Sequence, residues 1–333
     1  VFAFSCAVAA GLGALVNRFM RKGAAVPVGA ASIAAAVLAL VLGLPLRSSG
    51  AKLTNDLVER DRGYRTTPPK IAAATDGLRN DVANQKDNVA LIVMESWGVL
   101  RDDAAHREVL AIFDTPELQQ RYHINTGTVR FQGGTTSGEL RELCGVLTDY
   151  LVLNAQTIAT CLPKQLKKRG FMTTALHGYK REYYSRHRWY PKLFDRIVFE
   201  DSMSAGSRCG TQFRGICDRD VFQIFQRELQ RPDTQPRFTY WLTVDAHTPV
   251  DVDRLGELPP RPPAASDCGP EDFCLTVFFW RETLRRIAGV AVDPRTPPTR
   301  FIVVGDHAPA FVLQSRAQRL VAGHVPYVEL VPK

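Results

Sequence analysis

Short apolar runs recur along most of the chain, and each ends at a polar residue or a glycine. Residues 89–94 and 301–304 are two such runs, and both contain β-branched residues. Apolar runs of this length and composition are typical of buried strands. The same reasoning predicts further strands at 172–176, 237–244 and 327–331.

The longer segments between these runs predict helices over 102–122, 162–169, 218–229 and 273–290. Strands that alternate with helices in this way are typical of an α/β fold. We therefore predict a mainly parallel central sheet with helices on both of its faces.

The start of the chain differs from the rest because it contains few charged side chains. Residues 1–16 are apolar or small, the loop 18–22 is basic, and 24–46 carries no charge. The run 24–46 is long enough to cross a bilayer, and we predict a transmembrane helix there, after a truncated helix at 1–16. A signal peptide at 24–46 is the alternative, but the run is longer than a usual hydrophobic region and no clear cleavage site follows.

Loop charge predicts the orientation of these segments, because basic loops stay on the cytoplasmic side of a membrane. The chain beyond residue 47 would then lie outside the cytoplasm. We predict a transmembrane region over 1–46, a linker over 47–87 with a candidate helix at 50–62, and a globular domain over 88–333.

Six of the seven cysteines follow residue 47, and only Cys6 lies in the first apolar run. An extracytoplasmic compartment favours disulfides, and the absence of a Cys-x-x-Cys pair argues against a zinc site made of cysteines. We expect three local disulfides: Cys209–Cys217, Cys268–Cys274 and Cys144–Cys161.

The formal net charge of the chain is +8, which suits a domain that sits on an anionic membrane surface. The basic residues are scattered, and the sequence contains no groove pattern of basic and aromatic residues, so we predict no nucleic-acid partner. It also contains no glycine-rich phosphate loop of the nucleotide-binding kinds.

Potential metal ligands directly follow two of the predicted strands. Glu95 comes after the run 89–94, and Asp306 and His307 come after 301–304 and a glycine. The carboxyl ends of parallel strands meet at one edge of a sheet, where sites form in α/β proteins. Three such ligands with an open position describe a catalytic metal site, although residues of these types at strand ends can also simply cap helices.

A glycine-rich segment over 132–139 contains a candidate nucleophile. Thr136 and Glu139 have the spacing of a capping box, which predicts that a helix starts here and runs towards Gly145. Thr135 would then have a free hydroxyl at the helix N-terminus, where the helix dipole favours an anion or alkoxide. A hydroxyl in that position beside a metal is a candidate nucleophile.

The order of these motifs resembles the sulfatase-like branch of the alkaline phosphatase superfamily. Within that branch the pattern is most similar to the lipoteichoic acid synthases and to the phosphoglycerol and phosphoethanolamine transferases of bacterial envelopes. The resemblance covers about residues 85–332. It departs from the sulfatase nucleophile signature, Cys or Ser followed by x-Pro-Ser-Arg, which disfavours sulfate ester hydrolysis.

The resemblance implies a role for each matching residue. The metal ligands would be Glu95, Thr135, Asp306 and His307, with Thr135 also the nucleophile. The second set would bind the head group and the transferred phosphate, and its members are His177, Tyr184, Arg186, His247 and His324. The implied cofactor is a divalent metal, Mn or Zn.

The implied activity is that of a transferase anchored in the bacterial inner membrane, with its catalytic domain on the extracytoplasmic side. Its partners would be a phospholipid donor, a glycan or lipid acceptor, and the membrane. The reaction would pass through a phosphothreonine. A phosphate- or sulfate-ester hydrolase of the same fold is one alternative, and a non-catalytic membrane-anchored binding protein is another.

Overall fold

The computed structural model describes residues 68–255 and 271–333, apart from Ala205 and Asp233. The predicted membrane segments, the linker residues 47–67 with their candidate helix at 50–62, and Cys268 lie outside these described residues. Within them, no helix is both long enough and apolar enough to cross a membrane. The described residues belong to one compact unit, Arg62–Lys333.

The protein contains nine strands in the described part of the chain. They are β1 Asn88–Met94, β2 Tyr122–Arg130, β3 Met172–His177, β4 Arg196–Phe199, β5 Arg208–Cys209, β6 Gly215–Ile216, β7 Arg237–Leu242, β8 Thr299–Gly305 and β9 His324–Pro332.

Ten α-helices connect or cover these strands in the described part. They are α1 Asp76–Asn80, α2 Asp103–Leu110, α3 Pro116–Arg121, α4 Thr135–Cys144, α5 Ala155–Thr160, α6 Leu162–Lys168, α7 Arg186–Trp189, α8 Asp218–Leu229, α9 Glu271–Val292 and α10 Gln314–Ala317.

Seven strands form the central sheet in the order β2-β9-β8-β1-β7-β3-β4. Neighbours from β8 to β4 pair in parallel, whereas β9 is antiparallel to both β8 and β2. The sheet is therefore mixed and mainly parallel, as predicted. Strands β5 and β6 form a separate antiparallel hairpin.

Both faces of the sheet are buried, which explains why β1 is apolar at every residue after Asn88. Ala90, Ile92 and Met94 pack in one cluster with residues of α8 and α9. Val89 and Leu91 point to the other face and pack with residues of α4 and α6. Side chains alternate between the two faces of a strand, so a strand that is covered on both faces is a continuous apolar run.

The two strands of the central sheet that the sequence did not predict, β2 and β4, are its two edges. Only two of the nine residues of β2 are buried, and β4 has only four residues. An edge strand with a solvent-exposed face need not be apolar. Accordingly β2 is mostly polar, and the apolar run in β4 is only three residues long, 197–199.

The single helix predicted over 102–122 is wrong, because three shorter elements occupy this segment. Helix α2 ends at Leu110, a short 3-10 turn follows at Ala111–Phe113, and α3 begins at Pro116. The Thr115 side chain accepts a hydrogen bond from the Leu118 amide at 3.3 Å, and Pro116 occupies the first helical position. Both features favour a new helix start.

Residues of the predicted linker that fall in the described part pack against the end of α4. The Ile71 amide donates to the Gly145 carbonyl at 3.1 Å, and the Thr75 hydroxyl donates to the Glu142 carbonyl at 2.8 Å. Thr75 is completely buried. The chain before β1 therefore contributes to the packing that holds the C-terminal end of α4.

Two of the expected disulfides lie within the described residues, Cys144–Cys161 and Cys209–Cys217. Cys274 is also disulfide-bonded, and its predicted partner Cys268 lies outside the described residues. The Cys144–Cys161 bridge joins the last residue of α4 to the residue that precedes α6.

Candidate active site

The carboxyl ends of four adjacent parallel strands deliver polar residues to one edge of the sheet. Glu95 follows β1, Asp306 and His307 follow β8, His247 lies five residues after β7, and His177 ends β3. The N-terminus of α4 brings Thr135 to the same place.

Glu95, Asp306 and His307 form a compact cluster of possible metal ligands, with one ligand atom from each within 4.8 Å of the others. The His307 Nε2 atom lies 3.4 Å from Glu95 Oε1 and 3.3 Å from Asp306 Oδ2. Thr135 joins this cluster, because its Oγ1 atom lies 3.3 Å from Glu95 Oε2 and 3.4 Å from His307 Nε2.

The chemistry of this cluster fits a bound divalent cation. Asp306 Oδ1 accepts hydrogen bonds from the backbone amides of Ser96 and His307, at 2.8 and 2.6 Å. Its Oδ2 atom is buried and makes no hydrogen bond among the described residues, since His307 Nε2, 3.3 Å away, does not have hydrogen-bonding geometry. A buried carboxylate oxygen without a donor costs free energy unless a cation or proton compensates it.

Electrostatics at the cluster support the same conclusion. Burial and the charge of Glu95 raise the pKa of Asp306 to about 7. Burial alone would lower the pKa of His307, but the charges of Asp306 and Glu95 outweigh that effect and raise it. The cluster therefore concentrates negative charge that a divalent cation would neutralise.

Helix α4 is held against the end of β8 by a glycine and an arginine. A Cβ atom at Gly138 would lie 2.7 Å from the Asp306 Cα atom, so only glycine permits this approach. The buried Arg141 donates to the carbonyls of Gly305 and Asp306 at 2.5 and 3.0 Å. Neither residue could be identified from the sequence, because neither contributes to the site chemistry directly.

The capping box predicted for Thr136 and Glu139 is wrong. The N-cap of α4 is Gly134, with no side-chain cap, and Thr136 is the second helical residue. Glu139 is fully buried and accepts hydrogen bonds from Arg186 at 2.8 Å and Tyr240 at 3.0 Å. The Glu139 carboxylate therefore binds the buried Arg186 guanidinium and does not cap the start of α4.

A solvent-open cleft of about 300 Å³ lies beside the cluster. It is lined by Glu95, Thr135, His177, Tyr179, Tyr183, Tyr184, Arg186, Phe213, Val244 and His247. Four of the five predicted substrate-binding residues thus line one cleft together with the candidate nucleophile.

The fifth predicted residue, His324, does not line this cleft. It lies at the start of β9, where its Nδ1 atom is 3.0 Å from the Ala322 carbonyl oxygen. It is on the same edge of the sheet, since β9 runs antiparallel to β8.

His177 is a neutral hydrogen-bond acceptor in the cleft. Its Nδ1 atom lies 3.1 Å from the Leu242 carbonyl, which can only accept a hydrogen bond, so Nδ1 carries the proton. Burial and the nearby charge of Arg186 hold the pKa of His177 well below its usual value. The buried Nε2 atom has no partner among the described residues and can accept a hydrogen from a ligand.

The charge of Arg186 is balanced before any substrate binds. Its guanidinium pairs with Glu139 at 2.8 Å and stacks over the Tyr184 ring at 5.3 Å from the ring centre.

Burial and the charge of His307 lower the pKa of His247 to about 4, so this imidazole is neutral at physiological pH.

Four residues that line the cleft were not predicted from the sequence: Tyr179, Tyr183, Phe213 and Val244. Tyr179 and Tyr183 lie in a polar aromatic loop after β3, and that composition was the available signal. Phe213 lies in the β5–β6 hairpin, and no pattern in the sequence indicated that this hairpin would reach the cleft.

Comparison with known proteins identifies a family model. The model described as "Sulfatase" matches residues 87–269. The capsular polysaccharide biosynthesis protein RkpI of Rhizobium meliloti (strain 1021) is 23% identical over 266 residues. This match covers 76% of the chain but only 46% of the relative, so the chain spans about half the length of that protein.

Solved structures share the fold at low sequence identity. The lipoteichoic acid synthase LtaP of Listeria monocytogenes is 14% identical with a TM-score of 0.54, and the match covers 83% of this chain and 71% of that one. The phosphoglycerol transferase GacH of Streptococcus pyogenes, in complex with sn-glycerol-1-phosphate, is 12% identical with a TM-score of 0.52 and 78% coverage of each chain.

A third structure was solved with a metal. The periplasmic domain of EcEptC from Escherichia coli, in complex with Zn, is 11% identical with a TM-score of 0.51, and the match covers 80% of this chain and 78% of that one. At these identities the similarity shows the fold.

Proposed function

The chain belongs to the sulfatase family, and on that premise we propose that it transfers a phosphorylated head group from a phospholipid to an envelope glycan or lipid. The head group would be phosphoglycerol or phosphoethanolamine. The observation that carries this proposal is the position of Thr135, whose hydroxyl lies 3.3 Å from Glu95 and 3.4 Å from His307 at a helix N-terminus.

We propose that Glu95, Asp306, His307 and the Thr135 hydroxyl hold a divalent cation, Mn or Zn. The unpartnered Asp306 Oδ2 atom and the mixed carboxylate and imidazole donors support this assignment. When bound, the cation would lower the pKa of the threonine hydroxyl and offset negative charge on the phosphoryl oxygens.

In the proposed first step, the Thr135 oxygen loses its proton and forms a bond to the head-group phosphorus. The bond from phosphorus to the diacylglycerol oxygen breaks, and that oxygen takes up a proton as diacylglycerol leaves. In the second step, a hydroxyl of the acceptor takes the phosphoryl group from Thr135, which regains its proton. The N-terminus of α4 favours the negative charge that develops on the Thr135 oxygen.

The remaining cleft residues are proposed to bind the substrate. His177, Tyr184 and Arg186 would contact the head group, and His247 and His324 would contact the transferred phosphate. The acceptor-only Nε2 atom of His177 supports the first role, because glycerol and ethanolamine head groups both carry hydrogen-bond donors.

We propose that the protein acts at the outer face of the bacterial inner membrane. The uncharged segment 24–46, the basic loop before it and the disulfides support this location.

A hydrolase of phosphate or sulfate esters is the second candidate, since it would differ only in the use of water as acceptor. The lack of the sulfatase nucleophile signature argues against a sulfatase. The convergence of Glu95, Thr135, Asp306 and His307 argues against a non-catalytic binding protein.

The test uses the full chain with Mn²⁺ or Zn²⁺ and phosphatidylglycerol or phosphatidylethanolamine that is radiolabelled in the head group. The proposal predicts that an envelope glycan or lipid fraction takes up label faster than free head-group phosphate appears in water. Equal release of label with and without every acceptor would favour the hydrolase, and no release from either lipid would contradict the proposal.

A further inference from the structure

Three aromatic rings that no predicted role uses form one wall of the cleft. We call Tyr179, Tyr183 and Phe213 the aromatic wall. The ring centres of the two tyrosines lie 5.4 Å apart. The ring centre of Phe213 lies 5.8 Å from that of Tyr179 and 5.9 Å from that of Tyr183. The Phe213 ring also lies 3.8 Å from the His247 ring, so the wall is continuous with the proposed phosphate subsite.

The wall is built in advance of any ligand, because two chain segments are locked together behind it. The Ile216 amide donates to the Gly178 carbonyl at 2.7 Å, and a Cβ atom at Gly215 would lie 2.3 Å from that carbonyl oxygen. The Cys209–Cys217 disulfide closes the hairpin that carries Phe213. A preformed surface of this kind binds a ligand with little ordering cost.

The polar groups in the same cleft as the wall indicate what it binds. Tyr183 and Phe213 are partly exposed, and His177, Arg186 and His247 also line this cleft. Aromatic faces attract weakly polarised C–H groups, and these polar side chains supply both donors and acceptors of hydrogen bonds. A sugar ring has a C–H face and a border of hydroxyls, whereas a lipid tail would leave these polar groups without partners.

The two guanidinium groups beside the wall are already paired with buried carboxylates. Arg254, which donates a hydrogen bond to the Phe213 carbonyl, pairs with Asp245 at 2.7 Å, and Arg186 pairs with Glu139 at 2.8 Å. An uncharged ligand can therefore contact the wall without breaking either ion pair.

We propose that the aromatic wall is the subsite for a sugar ring of the acceptor, which makes the acceptor a glycan rather than a lipid. This inference rests on the proposed function and names its acceptor class. A hydroxyl of the stacked sugar attacks the phosphorus of the phosphothreonine, a new bond forms between phosphorus and the sugar oxygen, and the bond to the Thr135 oxygen breaks. The proton lost by the sugar hydroxyl replaces the phosphoryl group on Thr135.

The experiment measures the two half-reactions of the full chain separately. Formation of phosphothreonine is followed without acceptor, and transfer is followed with oligosaccharides of hexose and N-acetylhexosamine units or with short-chain diacylglycerol as the acceptor. Phe213→Ala and Tyr183→Ala are compared with Phe213→Trp and Tyr183→Phe. Phe278→Ala, a half-buried phenylalanine on α9 outside the cleft, is the matched control.

We expect each alanine variant to raise the KM for the oligosaccharide by about tenfold, more than it slows phosphothreonine formation. The aromatic replacements should restore the KM, and Phe278→Ala should leave it unchanged. Transfer to diacylglycerol alone, or an unchanged oligosaccharide KM in both alanine variants, would overturn the inference. Absence of phosphothreonine in the wild type would instead count against the proposed function.

Discussion

At the scale of single residues, the two threonines at the start of α4 have different environments. The hydroxyl of Thr135 contacts Glu95 and His307, whereas the expected capping bond of Thr136 does not form. Sequence reasoning located both threonines at a helix start but assigned Thr136 a role that the glycine before Thr135 fills. The capping box does not form because the Glu139 side chain lies in the core, where it binds Arg186. Sequence patterns do not reveal this contact, since the two residues are 47 positions apart.

Thr135→Ala should reduce turnover by roughly a thousandfold or more, because it removes the nucleophile. Thr136→Ala should retain most of the activity and most of the stability, since it removes no cap. Steady-state kinetics and thermal unfolding of both variants provide the check. Normal turnover in Thr135→Ala would show that the nucleophile is misassigned.

Asp306 makes the stability of the metal-free protein depend on pH. Its folded pKa of about 7 lies above the ordinary value of 3.8, so the folded state binds more protons between these two values. The contribution of this group is therefore fully present below about pH 4 and is lost as the pH rises through 7.

The effect of Asp306→Asn on stability should therefore have opposite signs in the metal-free and the metal-bound protein. Without metal, the variant should gain stability relative to the wild type as the pH rises from 5 to 8, because it removes a buried charge. With Mn²⁺ or Zn²⁺, it should be the less stable protein, because it has lost a ligand. Thermal unfolding with chelator and with added metal measures both; the same ranking in the two conditions would contradict a metal site here.

At the scale of elements, strands and helices were predicted correctly where they are buried in the core. Strands β1 and β8 and helix α8 were predicted close to their observed bounds, because their apolar patterns report directly on burial. The edge strands β2 and β4 were missed because their stability comes from pairing with a neighbour, which sequence pattern does not record. The aromatic wall was missed for the same reason, since it depends on the contact between two distant loops.

Helix α4 can occupy its place only because residue 138 is glycine. Gly138→Ala should place a methyl group against the backbone of Asp306 and cost about 1–3 kcal/mol of stability, together with metal affinity and activity. Gly289→Ala is the matched control, because a Cβ atom there has no neighbour within 4 Å, and it should stabilise α9 by about 0.5–1 kcal/mol. Denaturant unfolding and metal titration compare the two variants, and full metal affinity in Gly138→Ala would show that α4 does not depend on this close packing.

At the scale of the whole molecule, the fold positions four chemical groups from distant parts of the sequence at one edge of a mainly parallel sheet. Glu95, Thr135, Asp306 and His307 were predicted from the strand ends, the glycine-rich helix start and the family resemblance, and the structure brings all four together. The fold itself does not determine which head group, acceptor or metal binds. Only the chemistry of the cleft residues limits these choices.

In the proposed function, Thr135 carries the phosphorylated head group during turnover. The most direct measurement is rapid acid quenching of the full chain with phosphatidylglycerol or phosphatidylethanolamine and metal, followed by peptide mass spectrometry. We expect a head-group phosphate mass on the peptide that contains Thr135, absent with chelator and absent in Thr135→Ala. Turnover of the lipid with an unmodified Thr135 peptide at every quench time would contradict it.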